Sequence, residues 1–293
     1  MPWLQLETEV GQQQPEVLEL ALEAAGAVAV WFSDAGDEPI LEPGPGETPP
    51  WSSTIVTALF PADTATELLI SSLTPLVEGS RINFHTVEDR DWQADWNDTL
   101  QPSQFGSRLW IVPEGQAAPE TGAIVSLSPG MAFGTGEHPT TAMCLEWLDE
   151  QSLHNKTVLD YGCGSGLLAI AAVALGATLA QAVDIDPQAL TATRSNAERN
   201  NCLEKLNVCF PEEIGAAQQY DVLVANILSG TLIKLGPLIQ DLLHPGAPIA
   251  LAGVLADQSA GVITAWADWA DLRVGKQIDS WVLLTGQKHG LHE

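Results

Sequence analysis

Residues 158–166 read V-L-D-Y-G-C-G-S-G, and residues 131–141 upstream read M-A-F-G-T-G-E-H-P-T-T. Val158-Leu159-Asp160 ends a buried strand, and Leu167 to Leu175 forms a helix closed by Gly176. Between them stand Gly162, Gly164 and Gly166, where the missing Cβ lets the backbone approach a ligand closely. Strand, glycine turn and helix in that order place a nucleoside cofactor at the end of a strand in an open sheet. The upstream run is a dense polar loop suited to cover such a site. Gly134 and Gly136 let it bend sharply, while Thr135, Glu137, His138, Thr140 and Thr141 supply polar groups.

The glycine spacing narrows the cofactor. It is G-x-G-x-G, with Leu167 where a dinucleotide fold has its third glycine, so no tight pyrophosphate cradle is expected. The following strand, Ala180 to Asp184, ends in an acid eighteen residues after Gly166, placed to accept hydrogen bonds from both hydroxyls of a ribose. D-x-G before the turn and an acid after the next strand point to S-adenosylmethionine over a dinucleotide. Asp184 could also serve as a helix N-terminal charge, but Asp186, just before Pro187, fits that task better.

Asn226 ends the fourth strand, in A-N-I-L-S. Strand ends face the ligand crevice of such a sheet. A side-chain amide there both donates and accepts, to hold the cofactor's methionyl end or to orient an attacking amine. Thr141 lies near a helix N-terminus, where it would serve a cofactor carboxylate. His138 reads either as a general base or as a residue that stabilises the loop, the second being preferred. No paired-carboxylate, Ser-His-Asp or metal-ligand pattern competes with this site.

The rest of the chain surrounds that centre. From residue 139 onward helices and strands alternate: a helix near Pro139 to Glu150, a helix Pro187 to Asn200, strands Leu206 to Phe210, Val222 to Asn226 and Ile249 to Val254, and helices to about Leu243 and over Gln258 to Trp269. This order argues for a parallel doubly wound sheet. A closing hairpin, Leu272 to Ile278 with Trp281 to Thr285, is expected to add an antiparallel edge strand. The first 88 residues read β-α-β-β-α-β, the order of a ferredoxin-like domain. Its elements are strands from Trp3, Ala27, Ser53 and Arg81, a helix Pro15 to Ala25, and a second helix Ala62 to Val77 that Pro75 should end early. A Pro- and Gly-rich loop is expected over 38–50. Trp92 and Trp96 share a face of a connecting helix, and short strands near Leu109–Val112 and Ile124–Leu127 lead into the polar loop.

Composition sets the outer bounds. The chain has 293 residues, enough for about two domains of roughly 150 residues each. Cys144, Cys163, Cys202 and Cys209 show no C-x-x-C pairing, so neither a zinc site nor a disulfide framework is expected, and the cytoplasm is the default location. No apolar run matches a membrane span, and the start of the chain lacks the pattern of a signal peptide. The formal net charge is -27. No Lys or Arg precedes Arg81, and residues 1–80 hold thirteen Asp or Glu. Such a field repels nucleic-acid phosphate and attracts a basic partner. A saline habitat would acidify the surface as well, and both readings of the charge stand.

The 131–141 run, Asp160 to Gly166, Asp184-Ile-Asp-Pro and Ala225-Asn-Ile-Leu together resemble the PrmA family, the methyltransferases of large-subunit ribosomal protein 11. The likeness extends to the E-D-R-D-W segment around Asp91 and to F-G-S-R-L-W-I from Phe105. It implies a class I Rossmann-like methyltransferase domain behind a smaller N-terminal α+β ferredoxin-like domain, and trimethylation of lysine and N-terminal amines with S-adenosylmethionine as donor. The family's cofactor positions match Thr141, Gly162, Asp184 and Asn226, with Asn226 also the candidate to orient the amine. The expected division is a substrate-recognition domain over 1–88, a linker helix and connecting strands over 89–128, and the catalytic domain over 129–293. Three rivals remain. One is a class I methyltransferase acting on another protein, RNA or small-molecule amine. Another is an NAD-dependent dehydrogenase, which the missing third glycine disfavours. The third is a non-catalytic binding module that retains the fold.

Overall fold

The computed structural model describes residues 2–11, 15–36, 51–77, 80–87, 101–127, 138–215 and 218–290. The loop expected over 38–50, the helix expected over 89–100 and positions 131–137 of the polar loop lie outside the described residues. The chain divides into two units, Met1–Asp91 and Trp92–Glu293.

In the first unit, strands β1 (Trp3–Gly11), β2 (Ala29–Asp34), β3 (Ser53–Pro61) and β4 (Asn83–Val87) form an antiparallel sheet in the order β2-β3-β1-β4. Helices α1 (Pro15–Ala24) and α2 (Thr66–Leu73) lie on one face of it. There Leu18 and Leu22 of α1 and Leu69 and Leu73 of α2 join Leu6, Val56, Ala58 and Phe60 in one core. Period-two alternation sends those strand residues to the helices and their neighbours to the opposite face. The expected β-α-β-β-α-β order is present. Helix α2 starts later than the apolar pattern suggested, because Thr64 donates its N–H to Pro61 in a turn at 3.0 Å. It ends at Leu73, where Pro75 allows only a short 3-10 turn, Thr74–Leu76.

The second unit opens with a small sheet, β5 (Ser103–Phe105), β6 (Leu109–Pro113) and β7 (Ala123–Leu127), with β6 antiparallel to β5 and parallel to β7. The main sheet has seven strands. Five are parallel: β8 (Thr157–Tyr161), β9 (Leu179–Val183), β10 (Leu206–Cys209), β11 (Val222–Asn226) and β12 (Pro248–Leu255). The hairpin β13 (Ala270–Ile278) and β14 (Trp281–Lys288) completes the order β10-β9-β8-β11-β12-β14-β13. The hairpin thus supplies the expected antiparallel edge strand. β14 pairs with β12 and leaves β13 outermost.

Helices α3 (Pro139–Glu150), α4 (Leu167–Ala174) and α5 (Pro187–Arg199) cover one face of this sheet, and α6 (Ser229–Ile239) and α7 (Ser259–Trp266) the other. Successive residues of each buried strand serve opposite cores. Val158, Val222 and Ala250 join the first cluster, while Leu159, Leu223 and Leu251 join the second. The chain winds outward from β8 to β10, then returns to lay β11 on the other side of β8. That reversal opens a crevice at the C-terminal strand ends.

Helix α3 is held at its far end by a charged latch. Asp149, buried at 5% exposure, accepts from the Ser107 N–H at 2.7 Å, the Ser107 hydroxyl at 3.0 Å and the Arg108 N–H at 3.2 Å. The Arg108 Nε lies 3.3 Å away. Gly106 must be glycine here, since its φ is +68° and a Cβ would stand 2.4 Å from the Asp149 Oδ2. Burial would raise the Asp149 pKa, but the Ser107 hydrogen bonds and the Arg108 charge outweigh it and hold the carboxyl below its ordinary 3.8. Asp149→Ala strands two backbone N–H groups and is expected to lower unfolding stability by about 3 kcal/mol at pH 7. Because the folded pKa is depressed, the carboxylate's contribution is present above the unfolded value and lost as pH falls through the folded one. Urea unfolding of both proteins at neutral and acid pH checks this, and equal midpoints at neutral pH would refute the latch.

Candidate active site

A cavity of about 580 Å³ lies at the C-terminal ends of β8, β9, β11 and β12, beside the point where the strand order reverses. Thr141, Gly162, Asp184 and Asn226, separated by up to 85 residues in the chain, all line it. A second cavity, of about 610 Å³, opens at the opposite end of the strands beside Pro248, Asp271 and Arg273, and none of the four residues lines that one.

The glycine turn forms the floor. Gly162, Gly164 and Gly166 have φ of +83°, +53° and +79°, the left-handed region that glycine occupies without strain. Gly162 and Cys163 both donate their N–H groups to the Val183 carbonyl, at 2.7 and 3.0 Å. From α5, Thr193 donates to the Gly164 carbonyl at 3.1 Å and Asn196 to the Ser165 carbonyl at 2.8 Å. The turn is thus gripped by β9 and α5.

Asp184 stands one residue beyond β9 rather than at its last position. Its Oδ2 accepts from the Gly164 N–H at 2.9 Å and its Oδ1 from the Asp186 N–H at 3.0 Å. Each carboxylate oxygen carries a second lone pair, so these bonds orient the group without saturating it. Asp186 caps α5, accepting from the Gln188 N–H at 2.8 Å, as its place before Pro187 suggested. Across the crevice, Asn226 at the end of β11 donates Nδ2 to the Thr141 hydroxyl at 3.1 Å. Thr141 sits in the first turn of α3 and is buried. His138 is the N-cap of that helix. Its Nδ1 accepts from the Thr140 N–H at 3.4 Å and lies 2.7 Å from the Thr140 hydroxyl, while its ring meets Trp281 edge-on at 5.2 Å. This geometry caps α3. Tyr161, Ile185, Leu228 and Leu235 supply apolar wall.

Two features escaped the sequence reading. Gly253 has φ +77°, in a register irregularity of β12, and a Cβ there would lie 2.5 Å from the Ile227 carbonyl. Only glycine lets the Asn226–Leu228 segment pass so close to β12. A lone glycine inside an apolar strand is the signal that could have found it. Asp160, by contrast, was read only as part of the motif. It has no exposed surface. Its Oδ2 accepts from the Ala169 N–H at 3.0 Å, and its Oδ1 has no partner among the described residues. Burial, helped by the nearby Asp184 charge and opposed by the Ala169 bond, pushes its pKa up to about 7.

A family model described as ribosomal protein L11 methyltransferase (PrmA) matches residues 2–289. The chain belongs to this family. It is 49% identical over 293 residues to a protein named ribosomal protein L11 methyltransferase from Pseudomonas syringae pv. tomato, covering 98% of this chain and all of the relative. A protein of the same name from Pseudomonas aeruginosa is 48% identical over 292 residues, covering 98% of this chain and 99% of the relative. Among solved structures, a ribosomal protein L11 methylase from Lactobacillus delbrueckii subsp. bulgaricus aligns with TM-score 0.58 and 28% identity, over 65% of this chain and all of that one. The family and this likeness agree with a class I, Rossmann-like methyltransferase fold for the second unit.

The raised pKa of Asp160 has a signed consequence. Its contribution to stability is full below the unfolded pKa near 3.8 and is lost as pH rises through the folded value of about 7. Asp160→Asn, which cannot ionise, is expected to remove that slope, so that the variant gains on the wild type between pH 4 and pH 8. Urea midpoints across that range measure the difference, and parallel curves would refute the assignment.

Proposed function

We propose that this chain is an S-adenosylmethionine-dependent protein N-methyltransferase that methylates, and trimethylates, lysine side chains and the N-terminal amine of ribosomal protein L11. One observation carries the reading: Thr141, Gly162, Asp184 and Asn226 converge on a single cavity at the strand-order reversal. The residues fit such a donor. The volume lies within the roughly 300–1,000 Å³ of small-molecule sites. The oriented Asp184 carboxylate suits the two hydroxyls of a ribose, the glycine turn leaves room for the nucleoside beside it, and Thr141 with Asn226 would hold the amino-acid end.

When bound there, S-adenosylmethionine supplies a methyl carbon made electrophilic by its sulfonium. The chain's own residues prepare the nucleophile. A lysine amine titrates near ~10.4 in water and must be neutral to attack. The apolar wall of Tyr161, Leu228 and Leu235 disfavours the ammonium form and lowers that value. Asn226 gives one Nδ2 hydrogen to Thr141, and its Oδ1 is the atom that can accept from an attacking amine. Fixing the amine in line with the methyl carbon is then the larger part of catalysis.

In this reading residues 1–88 recognise the substrate, 89–128 connect, and 129–293 carry the chemistry. The acidic first unit suits a basic ribosomal protein, and the same charge disfavours direct nucleic-acid binding. Among the described residues no helix is long and apolar enough to cross a membrane, and the proposed site of action is the cytoplasm. Transfer of tritium from labelled S-adenosylmethionine to purified L11 tests the proposal. Asn226→Ala is expected to lower kcat/KM by at least about tenfold, roughly 1.4 kcal/mol. Deleting residues 1–88 is expected to abolish protein methylation while preserving cofactor binding. Label appearing in ribosomal RNA and not in L11 would overturn the substrate assignment.

A further inference from the structure

We propose that the flank of α6 leading out of the cavity, together with Glu212, is a subsite for the stretch of polypeptide that carries the acceptor amine. A lysine or arginine next to the amine pairs with Glu212, and apolar neighbours lie along the helix. The inference rests on the proposed reading of the chain as a protein methyltransferase and adds to it the side chains that the substrate sets beside its amine. Leu228, Thr231 and Leu235 line the cavity, and Leu238 continues their row one turn further on. Spacings of three and four put all of them on one side of the helix, over about 15 Å at ~1.5 Å per residue. That is the reach of roughly four or five residues of extended chain. Leu228 is 53% exposed and Leu238 68%.

Among the described residues no helix covers this row. α7 packs on the other flank of α6, with Ile233 beside Gly261 and Gly236 against the Trp266 indole. β8, β9, β11 and β12 each lead into an α-helix, but between β10 and β11 the described residues form only a 3-10 turn, Pro211–Glu213. Exposed leucines in a row continuous with a reaction cavity mark a binding surface. The same turn supplies its charge. Glu213 accepts from the Phe210 N–H at 2.8 Å, whereas Glu212 is exposed and has no hydrogen-bond or ion-pair partner among the described residues. Glu212 reaches the cavity electrostatically: burial raises the pKa of Tyr161, a cavity-wall residue, and the Glu212 charge raises it further. A carboxylate there repels nucleic-acid phosphate and attracts a cationic side chain. Lys234 stands on α6 beside the row, so the substrate's cation belongs at the mouth and its apolar side chains further along.

The test uses the full chain and steady-state transfer of label to L11. Glu212→Lys and Leu238→Gln are compared with the wild type. Glu204→Lys, which makes the same change in net charge at an exposed position outside the cavity lining, is the control. The expected result is a KM for L11 raised at least about tenfold by Glu212→Lys and about fivefold by Leu238→Gln, with kcat, S-adenosylmethionine affinity and melting temperature unchanged. The control should stay within about twofold of the wild type, since a distant charge acts only through the screened overall field. Glu212→Gln, close in shape to the native residue, repeats the charge test should the lysine lower the melting temperature. A KM within about twofold of the wild type in either the Glu212 or the Leu238 variant would overturn the subsite. So would an equal rise in the control, or changes confined to oligomeric state or RNA binding. A wild type that transfers no label to L11 would instead overturn the substrate reading on which the inference rests.

Discussion

The carboxylate of Asp184 accepting the Gly164 N–H ties the turn after β8 to the turn after β9. Much of the site depends on that closure. The strand passes into the helix here through three left-handed glycines, which take that conformation without Cβ strain, and the resulting turn is held by external anchors. Val183 supplies a carbonyl from the end of β9, Asp184 the carboxylate, and α5 the side chains of Thr193 and Asn196. The reversal of strand order then sets β11 beside β8, which brings Asn226 across the crevice from Asp184 and within a hydrogen bond of Thr141.

Charge is distributed to match. Asp184 lies at the cavity with both oxygens oriented by backbone donors, while Asp160 lies beneath with one oxygen unpartnered among the described residues. Burial, helped by the Asp184 charge, pushes the Asp160 pKa up to about 7.

Much of this was legible in the sequence because it is local. Pro15 and Gly26 bracket α1, Pro139 opens α3, Asp186-Pro187 opens α5, and the glycine spacing with the acid after the next strand marks the lining of the cavity at the strand ends. The order of the first six elements was enough to suggest a ferredoxin-like sheet. What was not legible depends on contacts between distant segments. Hairpin β13–β14 reads the same whichever strand lies outermost, and its placement is decided by β14 pairing with β12. The three-residue strand β5 has too few positions to show alternation. The Asp149 latch joins residues some forty apart, and Gly253 matters only because the Ile227 backbone passes beside it.

The central claim is that Thr141, Gly162, Asp184 and Asn226 form one S-adenosylmethionine site. Calorimetric titration of the wild type and of Asp184→Ala with S-adenosylmethionine, and of the wild type with NAD, tests it most directly. The account predicts one equivalent of S-adenosylmethionine bound by the wild type, no measurable binding of NAD, and affinity for S-adenosylmethionine at least about tenfold weaker in a variant that still unfolds cooperatively. Equal affinity in the two proteins, or binding of NAD in place of S-adenosylmethionine, would contradict it.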